Sequence, residues 1–325
     1  MAKFILDFER PVIELEQKIE SLRAQGDEKS LKEAQKLEEE LVRLREKIFK
    51  NLTPWQRVQL ARHPDRPYTR DYIKYMLDWF IELHGDGCFS DDKAVICGIG
   101  KLDKYHVVLI GQQKGRDTKE RIERNFGMMH PEGYRKAIKF MKLGAKFGRP
   151  IITLIDTAGA YPGIGAEERG QAQAIARNLF EMAKLPVPII CVVTGEGGSG
   201  GALGIGVGDR IIMLEFSFYS VISPEGCASI LWRDAKKAPD AAAALKITAQ
   251  ELYKLGIADR IVEEPPGGAH RDPKTTALNL KKAIVEELDK LKDISYQELI
   301  KQRIEKYGRM GVYRENGKLV GSFRE

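Results

Sequence analysis

Val187-Pro-Ile-Ile-Cys-Val-Val-Thr-Gly-Glu-Gly-Gly-Ser-Gly-Gly-Ala-Leu-Gly-Ile-Gly-Val-Gly-Asp209 begins as an almost unbroken apolar run and ends dense in glycine. Val187 and residues 189–193 read as a buried strand, because a strand covered on both faces shows no polar alternation. Five glycines then fall among the seven residues from Gly195 to Gly201, which marks a tight turn into a helix. Glycine permits close backbone approach and positive φ, and the first N–H groups of a helix have no intrahelical partner. The turn is therefore predicted to face an anion or a developing oxyanion with bare main chain.

The same unit recurs on either side. Residues 150–155 form a predicted strand ending in Asp156-Thr157-Ala158-Gly159-Ala160-Tyr161-Pro162-Gly163, followed by a helix over about 167–183. Residues 210–221 supply further strand, and Ser223-Pro224-Glu225-Gly226 opens a helix with Ser223 as N-cap and Pro224 at the first helical position. The strand ends recur at roughly 35 to 40 residues, the length of one strand and its crossover helix. This spacing predicts a stacked α/β architecture with its turns on one edge.

At the N-terminus, Val12, Leu15, Ile19 and Leu22, then Ala34, Leu37, Leu41, Leu44 and Ile48, recur at helical spacing around a Gly26-Asp27 break. A helical hairpin is predicted. Residues 60–68, with His63-Pro64 and Arg66-Pro67, read as an extended connector. Beyond it come a helix over 72–83, a strand pair over 94–99 and 105–111, and a helix over 134–147. Residues 251–255 end a helix, 257–262 form a short strand, and helices follow over 274–291 and 296–307. Asn316-Gly317 fits a type I′ hairpin turn. The predicted division is residues 1–55 as the hairpin, 56–271 as the main domain, and 272–325 as C-terminal helices with a terminal β-hairpin.

The 325 residues carry 53 basic and 47 acidic side chains, a formal charge of +6, which leaves a mixed and mildly basic surface. Lys114, Arg116, Lys119 and Arg121 cluster after a predicted strand, where a phosphate-binding role and a solvated loop both fit. Nucleic-acid binding is at most secondary, since aromatic platforms do not interleave the charges of residues 114–124. Cys88, Cys97, Cys191 and Cys227 form no CxxC pair, so core thiols are expected and a zinc site in this chain is not. No apolar segment suits a signal peptide or a membrane span, and a cytoplasmic location is expected.

The glycine turn matches two familiar patterns poorly. Gly195, Gly197 and Gly200 satisfy G-x-G-x-x-G with Glu215 twenty residues beyond the first, but the motif lies deep in the chain, after an earlier β/α unit. Gly197, Ser199 and Gly201 satisfy G-x-S-x-G, with Asp259 and His270 in the order a serine hydrolase requires. Neither an HGGG-type segment nor a P-loop lysine is present, and Ser199 reads as a small residue in a crowded turn rather than as a nucleophile. A third reading needs main chain alone. Two fixed N–H donors stabilise the charge developing on an enolate or on a ureido oxygen.

Phe4-Ile5-Leu6-Asp7-Phe8-Glu9, Gln59-Leu60-Ala61-Arg62-His63-Pro64, Gln113-Lys114-Gly115-Arg116, Arg124-Asn125-Phe126-Gly127-Met128, Pro131-Glu132-Gly133-Tyr134-Arg135-Lys136-Ala137 and residues 155–170, 195–209, 220–232 and 264–271 together carry a resemblance. The chain resembles the α subunits of bacterial acetyl-CoA carboxylase carboxyltransferase, in the crotonase (ClpP-like) superfamily. The resemblance implies a crotonase-like stacked β-β-α superhelix, with the N-terminal helical hairpin and C-terminal helices added to it. It implies transfer of a carboxyl group from carboxybiotin, on biotin carboxyl carrier protein, to acetyl-CoA, giving malonyl-CoA for fatty acid synthesis. Another biotin-dependent acyl-CoA carboxyltransferase subunit, or a crotonase-like acyl-CoA enzyme, is the alternative. Implied partners are a zinc-ribbon β subunit, in an α2β2 assembly, and the ATP-using biotin carboxylase. By resemblance Gly200 and Gly201 offer N–H groups to the biotin oxygen, while Gly159, Ala160, Gly197 and Gly198 shape the cleft and Lys114 and Arg116 are substrate-binding candidates. Ala158 departs from the proline frequent in the family, and residues from 312 onward lie outside its pattern.

Overall fold

The computed structural model describes residues 4–316 and 318–321. Helices α1 (Arg10–Gln25) and α2 (Glu28–Lys50) form the predicted hairpin. Gly26 turns the chain at φ 74°, and the Asp27 carboxylate caps α2 by accepting from the N–H groups of Lys29 and Ser30 at 3.1 and 3.0 Å. Val12, Ile19, Ala34 and Leu41 are buried between the two helices, as their spacing requires. Next come α3 (Pro54–Ala61), α4 (Thr69–Met76), β1 (Trp79–Leu83), β2 (Val95–Leu102), β3 (Tyr105–Gln112), α5 (Thr118–Glu123), α6 (Pro131–Lys146) and β4 (Ile151–Thr157). Then follow α7 (Ile164–Glu168), α8 (Gln171–Met182), β5 (Ile189–Gly198), α9 (Ser199–Leu203), β6 (Arg210–Leu214), β7 (Phe218–Ser220), α10 (Pro224–Trp232), α11 (Ala238–Leu245), α12 (Ala249–Lys254) and β8 (Arg260–Val262). Helices α13 (Pro273–Leu291) and α14 (Tyr296–Gly308) and the hairpin β9 (Val312–Glu315) with β10 (Lys318–Gly321) complete the described chain. Asn316 takes the left-handed φ of 48° that its predicted turn needs, and Gly317 lies outside the described residues.

One sheet runs β1-β2-β3-β4-β5-β6-β8, with β7 also paired to β5. The first three strands are antiparallel and the rest of the ladder is parallel. Along β5, Ile189, Cys191 and Val193 enter the core under α6 and α8, whereas Ile190 and Val192 enter the core under α4 and α13. Both faces are covered, which is why the run shows no alternation. Cys97, Cys191 and Cys227 are buried free thiols, as expected, and Cys88 is exposed.

Two sequence expectations fail here. Residues 72–83 are not one helix: α4 stops at Met76 and β1 begins at Trp79. The cause lies across the ladder. A Cβ on Gly98 of β2 would sit 2.4 Å from the Phe80 ring, so the glycine makes room for an aromatic strand residue. Residues 60–68 are not a plain extended connector either: α3 includes Leu60 and Ala61, and Arg66 is 1% exposed. Its guanidinium donates to both Glu264 oxygens at 2.8 and 2.7 Å and to the Thr194 carbonyl at 2.9 Å.

Glu264 is equally enclosed, and it also accepts from the N–H groups of Phe216 and Ala269 at 3.1 and 2.6 Å. Removing one member of such a pair strands a buried charge. Glu264→Met is expected to lower the unfolding free energy by about 3–5 kcal/mol in urea titrations. The double variant Arg66→Met/Glu264→Met is expected to lose less than the sum of the single losses. Strict additivity would mean that the pair is not coupled.

The hairpin joins the body through Glu9, whose Oε1 lies 3.0 Å from Nε2 of His270, and through Glu16, which accepts from Arg271 at 3.1 Å. His63 stacks on His270 with ring centroids 4.1 Å apart. Burial, and then the neighbouring His270, push the His63 imidazole from 6.5 down to about 4. A folded pKa below the unfolded value favours the neutral form, so this contribution is complete above pH 6.5 and is lost as pH falls toward 4. The thermal midpoint is expected to be level from pH 8 to 6.5 and to decline below it, and His63→Gln should flatten the upper part of that decline.

Candidate active site

Strand β5 runs four residues beyond the predicted break. Glu196, Gly197 and Gly198 pair with Phe218, Tyr219 and Ser220 of β7, and Gly197 also pairs with Thr157 of β4. The turn proper is at Ser199, and its conformation reverses an expectation. None of Gly195, Gly197, Gly198, Gly200 and Gly201 has positive φ; Ser199 does, at 52°. The glycines are needed for closeness instead. A Cβ on Gly198 would lie 2.2 Å from the Ala158 carbonyl oxygen, and one on Gly201 would lie 2.2 Å from the Gly159 carbonyl carbon and 2.5 Å from the Ala160 nitrogen. The two turns thus touch through bare backbone. Ser199 is exposed rather than packed.

The second turn is braced by Thr157, whose Oγ1 donates to the Gly159 carbonyl at 2.8 Å and accepts from the Gly159 N–H at 3.2 Å. Beside Gly200 a cleft of about 450 Å³ opens, walled by Leu203, Tyr219, Val221, Ile247 and Leu252. The first N–H groups of α9 stand at this edge without intrahelical acceptors. A mainly apolar cavity with main-chain donors at one end suits a flat, weakly polar ring whose oxygen gains charge.

Behind the turns lies a cluster of charges. Nζ of Lys114 is 2.8 Å from Asp156 and 3.4 Å from Glu196, and Arg62 donates to Glu196 at 2.8 Å and to Glu225 at 2.6 Å. Asp156 also accepts from the Glu196 N–H at 3.0 Å. Burial alone would lower the Lys114 ammonium pKa, but the Asp156 and Glu196 carboxylates outweigh it and raise the pKa. Burial would likewise raise Glu196, yet Lys114 and Arg62 bring it below the usual carboxylate range. Arg116 points elsewhere: it donates to the carbonyls of Pro64 and Arg66 at 3.1 and 2.8 Å, pairs with Asp71, and lies 4.1 Å over the Tyr68 ring.

The structure therefore brings together Gly159, Ala160, Gly197, Gly198, Gly200 and Gly201. Lys114 braces the ends of β4 and β5, Arg116 ties down residues 64–71, and neither lines the cleft. The serine-hydrolase constellation does not assemble. His270 is bound to Glu9, and Asp259 accepts from the Ile211 N–H at 2.7 Å and pairs with Lys306. Glu215 accepts from the Glu264 N–H at 3.1 Å, a structural duty that replaces the ribose contact of a dinucleotide fold. Arg62 was not singled out from sequence, where it sits unmarked in the supposed connector; only its place beside His63-Pro64 in a motif hinted at it.

Parallel strands that deliver two touching main-chain turns to one sheet edge, over an apolar cleft, define the crotonase-like carboxyltransferase fold. Solved structures share it. A transcarboxylase 12S with methylmalonyl-coenzyme A and methylmalonic acid bound aligns with TM-score 0.52 at 18% identity, covering 67% of this chain and 42% of that one. A Pseudomonas malonate decarboxylase hetero-tetramer in complex with coenzyme A aligns with TM-score 0.55 at 16% identity, covering 65% and 84%. Residues 5–311 match the family model for acetyl co-enzyme A carboxylase carboxyltransferase-like proteins. Acetyl-coenzyme A carboxylase carboxyl transferase subunit alpha of Geobacter metallireducens is 57% identical over 316 residues, covering 97% of this chain and 99% of that protein. The Methylococcus capsulatus protein of the same name is 57% identical over 313 residues, covering 95% and 98%. The chain belongs to the acetyl-CoA carboxylase carboxyltransferase α-subunit family. The family match ends one residue before β9.

A methyl group tests the contact between the turns. Gly201→Ala is expected to destabilise the fold by about 1–3 kcal/mol, because its Cβ would overlap backbone. Gly159→Ala, whose Cβ would meet nothing within 4 Å, should change stability by less than about 0.5 kcal/mol. Thermal melts that ranked the two the other way would contradict this geometry.

Proposed function

We propose that this chain is the α half of an acetyl-CoA carboxylase carboxyltransferase, moving a carboxyl group from carboxybiotin on its carrier protein to acetyl-CoA to form malonyl-CoA. Membership of the family across residues 5–311, which include both turns, carries this reading. Biotin supplies the carboxyl group and a ureido nitrogen able to take a proton. Gly200 and Gly201 direct N–H groups at the ureido oxygen, and the apolar wall from Leu203 to Leu252 excludes water from the ring. At Gly200 a ligand can come close, since only Ile175 Cδ1, at 3.6 Å, approaches the place of a Cβ. Gly159 and Ala160 close the opposite side of the turn, and Gly197 and Gly198 carry the strand to it. Lys114 acts by holding the ends of β4 and β5 together, and Arg116 by fixing residues 64–71 beside them.

This chain presents one oxyanion hole, and the reaction needs a second for the thioester enolate. We assign that hole to a β subunit, which also carries the zinc, in an α2β2 assembly. Biotin carboxyl carrier protein and the ATP-consuming biotin carboxylase complete the system, which we place in the cytoplasm. Among the described residues no helix is long and apolar enough to cross a membrane.

The test is the reverse reaction: malonyl-CoA-dependent carboxylation of free biotin by the chain reconstituted with a β subunit. Gly200→Val is expected to keep its fold and its partner while losing about 100-fold or more in kcat, the effect of disabling an oxyanion-hole donor. Ser199→Ala is expected to stay within several-fold of the parent. An assembled parent complex without turnover would refute the assignment, and a dead but folded Ser199→Ala protein would revive a nucleophilic serine.

A further inference from the structure

Gln112, the last residue of β3, is 0% exposed. It shares a strand face with Val108 and Ile110, which pack into the core under α6 and α8. A buried primary amide is tolerated only when its own donors and acceptor are met. Both ends of this one are met, and each by a different turn of the site. Its Oε1 accepts from the Asp156 N–H at 3.0 Å, at the mouth of the Gly159 turn. Its Nε2 donates to the Gly201 carbonyl at 2.8 Å, within the turn that follows β5, with Met129 Sδ at 3.5 Å as its other neighbour. Strand β4 lies between β3 and β5, so this side chain reaches across the end of one strand to grip the turn of the next. The base of the residue is also fixed: the Gln112 carbonyl accepts from Thr69 Oγ1 at 2.6 Å.

We infer that Gln112 is a positioning residue of the carboxyltransferase reaction, clamping the Gly159 and Gly201 turns in one geometry. The inference rests on the proposed role of the Gly200 and Gly201 main chain. Gly201 abuts Gly159 through backbone on one side, and Gln112 holds its carbonyl from the other. The tilt of the peptide that follows Gly201, and with it the aim of the neighbouring N–H groups, is set between these two contacts. Oxyanion donors act only when fixed in advance, and a misplacement near 1 Å removes about a hundredfold in rate. Tyr134 Oη, 3.5 Å from the same carbonyl, is too distant to replace the amide.

Gln112→Met keeps the volume and removes both hydrogen bonds. In the reconstituted complex its kcat is expected to fall about 10- to 100-fold, with KM for malonyl-CoA within about twofold of the parent and assembly intact. Gln112→Glu separates positioning from packing. As the neutral acid it donates O–H to the Gly201 carbonyl and accepts from the Asp156 N–H; as the carboxylate it loses the donor. Its activity relative to the parent should therefore fall as pH rises, while the Gln112→Met ratio stays level. A readout free of catalysis is single-residue amide exchange at Asp156, expected to be about tenfold faster in Gln112→Met. A kcat for Gln112→Met within twofold of the parent, a Gln112→Glu protein as impaired at low pH as Gln112→Met, or unchanged Asp156 exchange overturns the clamp. If the parent complex itself shows no turnover, the carboxyltransferase reading falls, and the exchange rate alone then decides whether the clamp exists.

Discussion

The buried ion pair of Arg66 with Glu264 is the contact on which the rest of the molecule depends. Two charges inside a protein persist when they face each other and other hydrogen bonds support them. Here the backbone supplies three, to Arg66 Nη2 and to both Glu264 oxygens, while Arg66 Nε is left without a partner among the described residues. Arg66 takes the Thr194 carbonyl, one residue before the first glycine of the site, and Glu264 takes two amides from segments near residues 216 and 269. One pair thereby fastens the segment after α3, the middle of β5, the loop after β6 and the loop after β8. The apolar cores fix the strands side by side, and the ion pair holds β5 at Thr194, just before its glycine-bearing end runs on beside β7.

Around that anchor the site is assembled from polar groups that never line the cleft. Lys114, Asp156, Glu196, Arg62 and Glu225 form a chain of alternating charge in which every member has an opposite neighbour. The proposed site, which would meet its ligand through main chain, needs that main chain held still, and the side chains behind it are placed to do the holding. This is the physical reason that the cationic residues near the strand ends are turned inward. Their positive charge offsets carboxylates that would otherwise repel one another.

Most of the fold was legible in sequence. The apolar run of β5, the helical spacing of the hairpin and the N-cap Ser223 all follow from local rules, and each of these local features appears as read. What escaped were features decided across strands. Nothing local distinguishes Trp79-Phe80-Ile81 in a helix from the same residues in a strand; Gly98, which accommodates the Phe80 ring, settles it. Proline spacing in residues 60–68 suggests a plain extended connector, because a buried arginine is recognisable only once its carboxylate, 198 residues away, is known. At the site, glycine density was legible but its cause was not. Close contact between two turns, and not positive φ, requires Gly198 and Gly201, while the left-handed position belongs to Ser199.

Arg303, on α14, is wholly buried and donates to the carbonyls of Met182, Leu185 and Val187 and to the Asp209 carboxylate, at 2.7 to 2.9 Å. These groups flank the entry into β5 and the loop that leaves α9. A polypeptide emerging from the ribosome in order would expose the apolar heart of the sheet long before this residue is available to secure it. Contacts separated by a hundred residues or more form late and slowly. The nascent chain therefore passes through a period in which the strand carrying the site is made but its base is open. A ribosome that stopped short of residue 303 would release a chain with the base of its central strand unlatched.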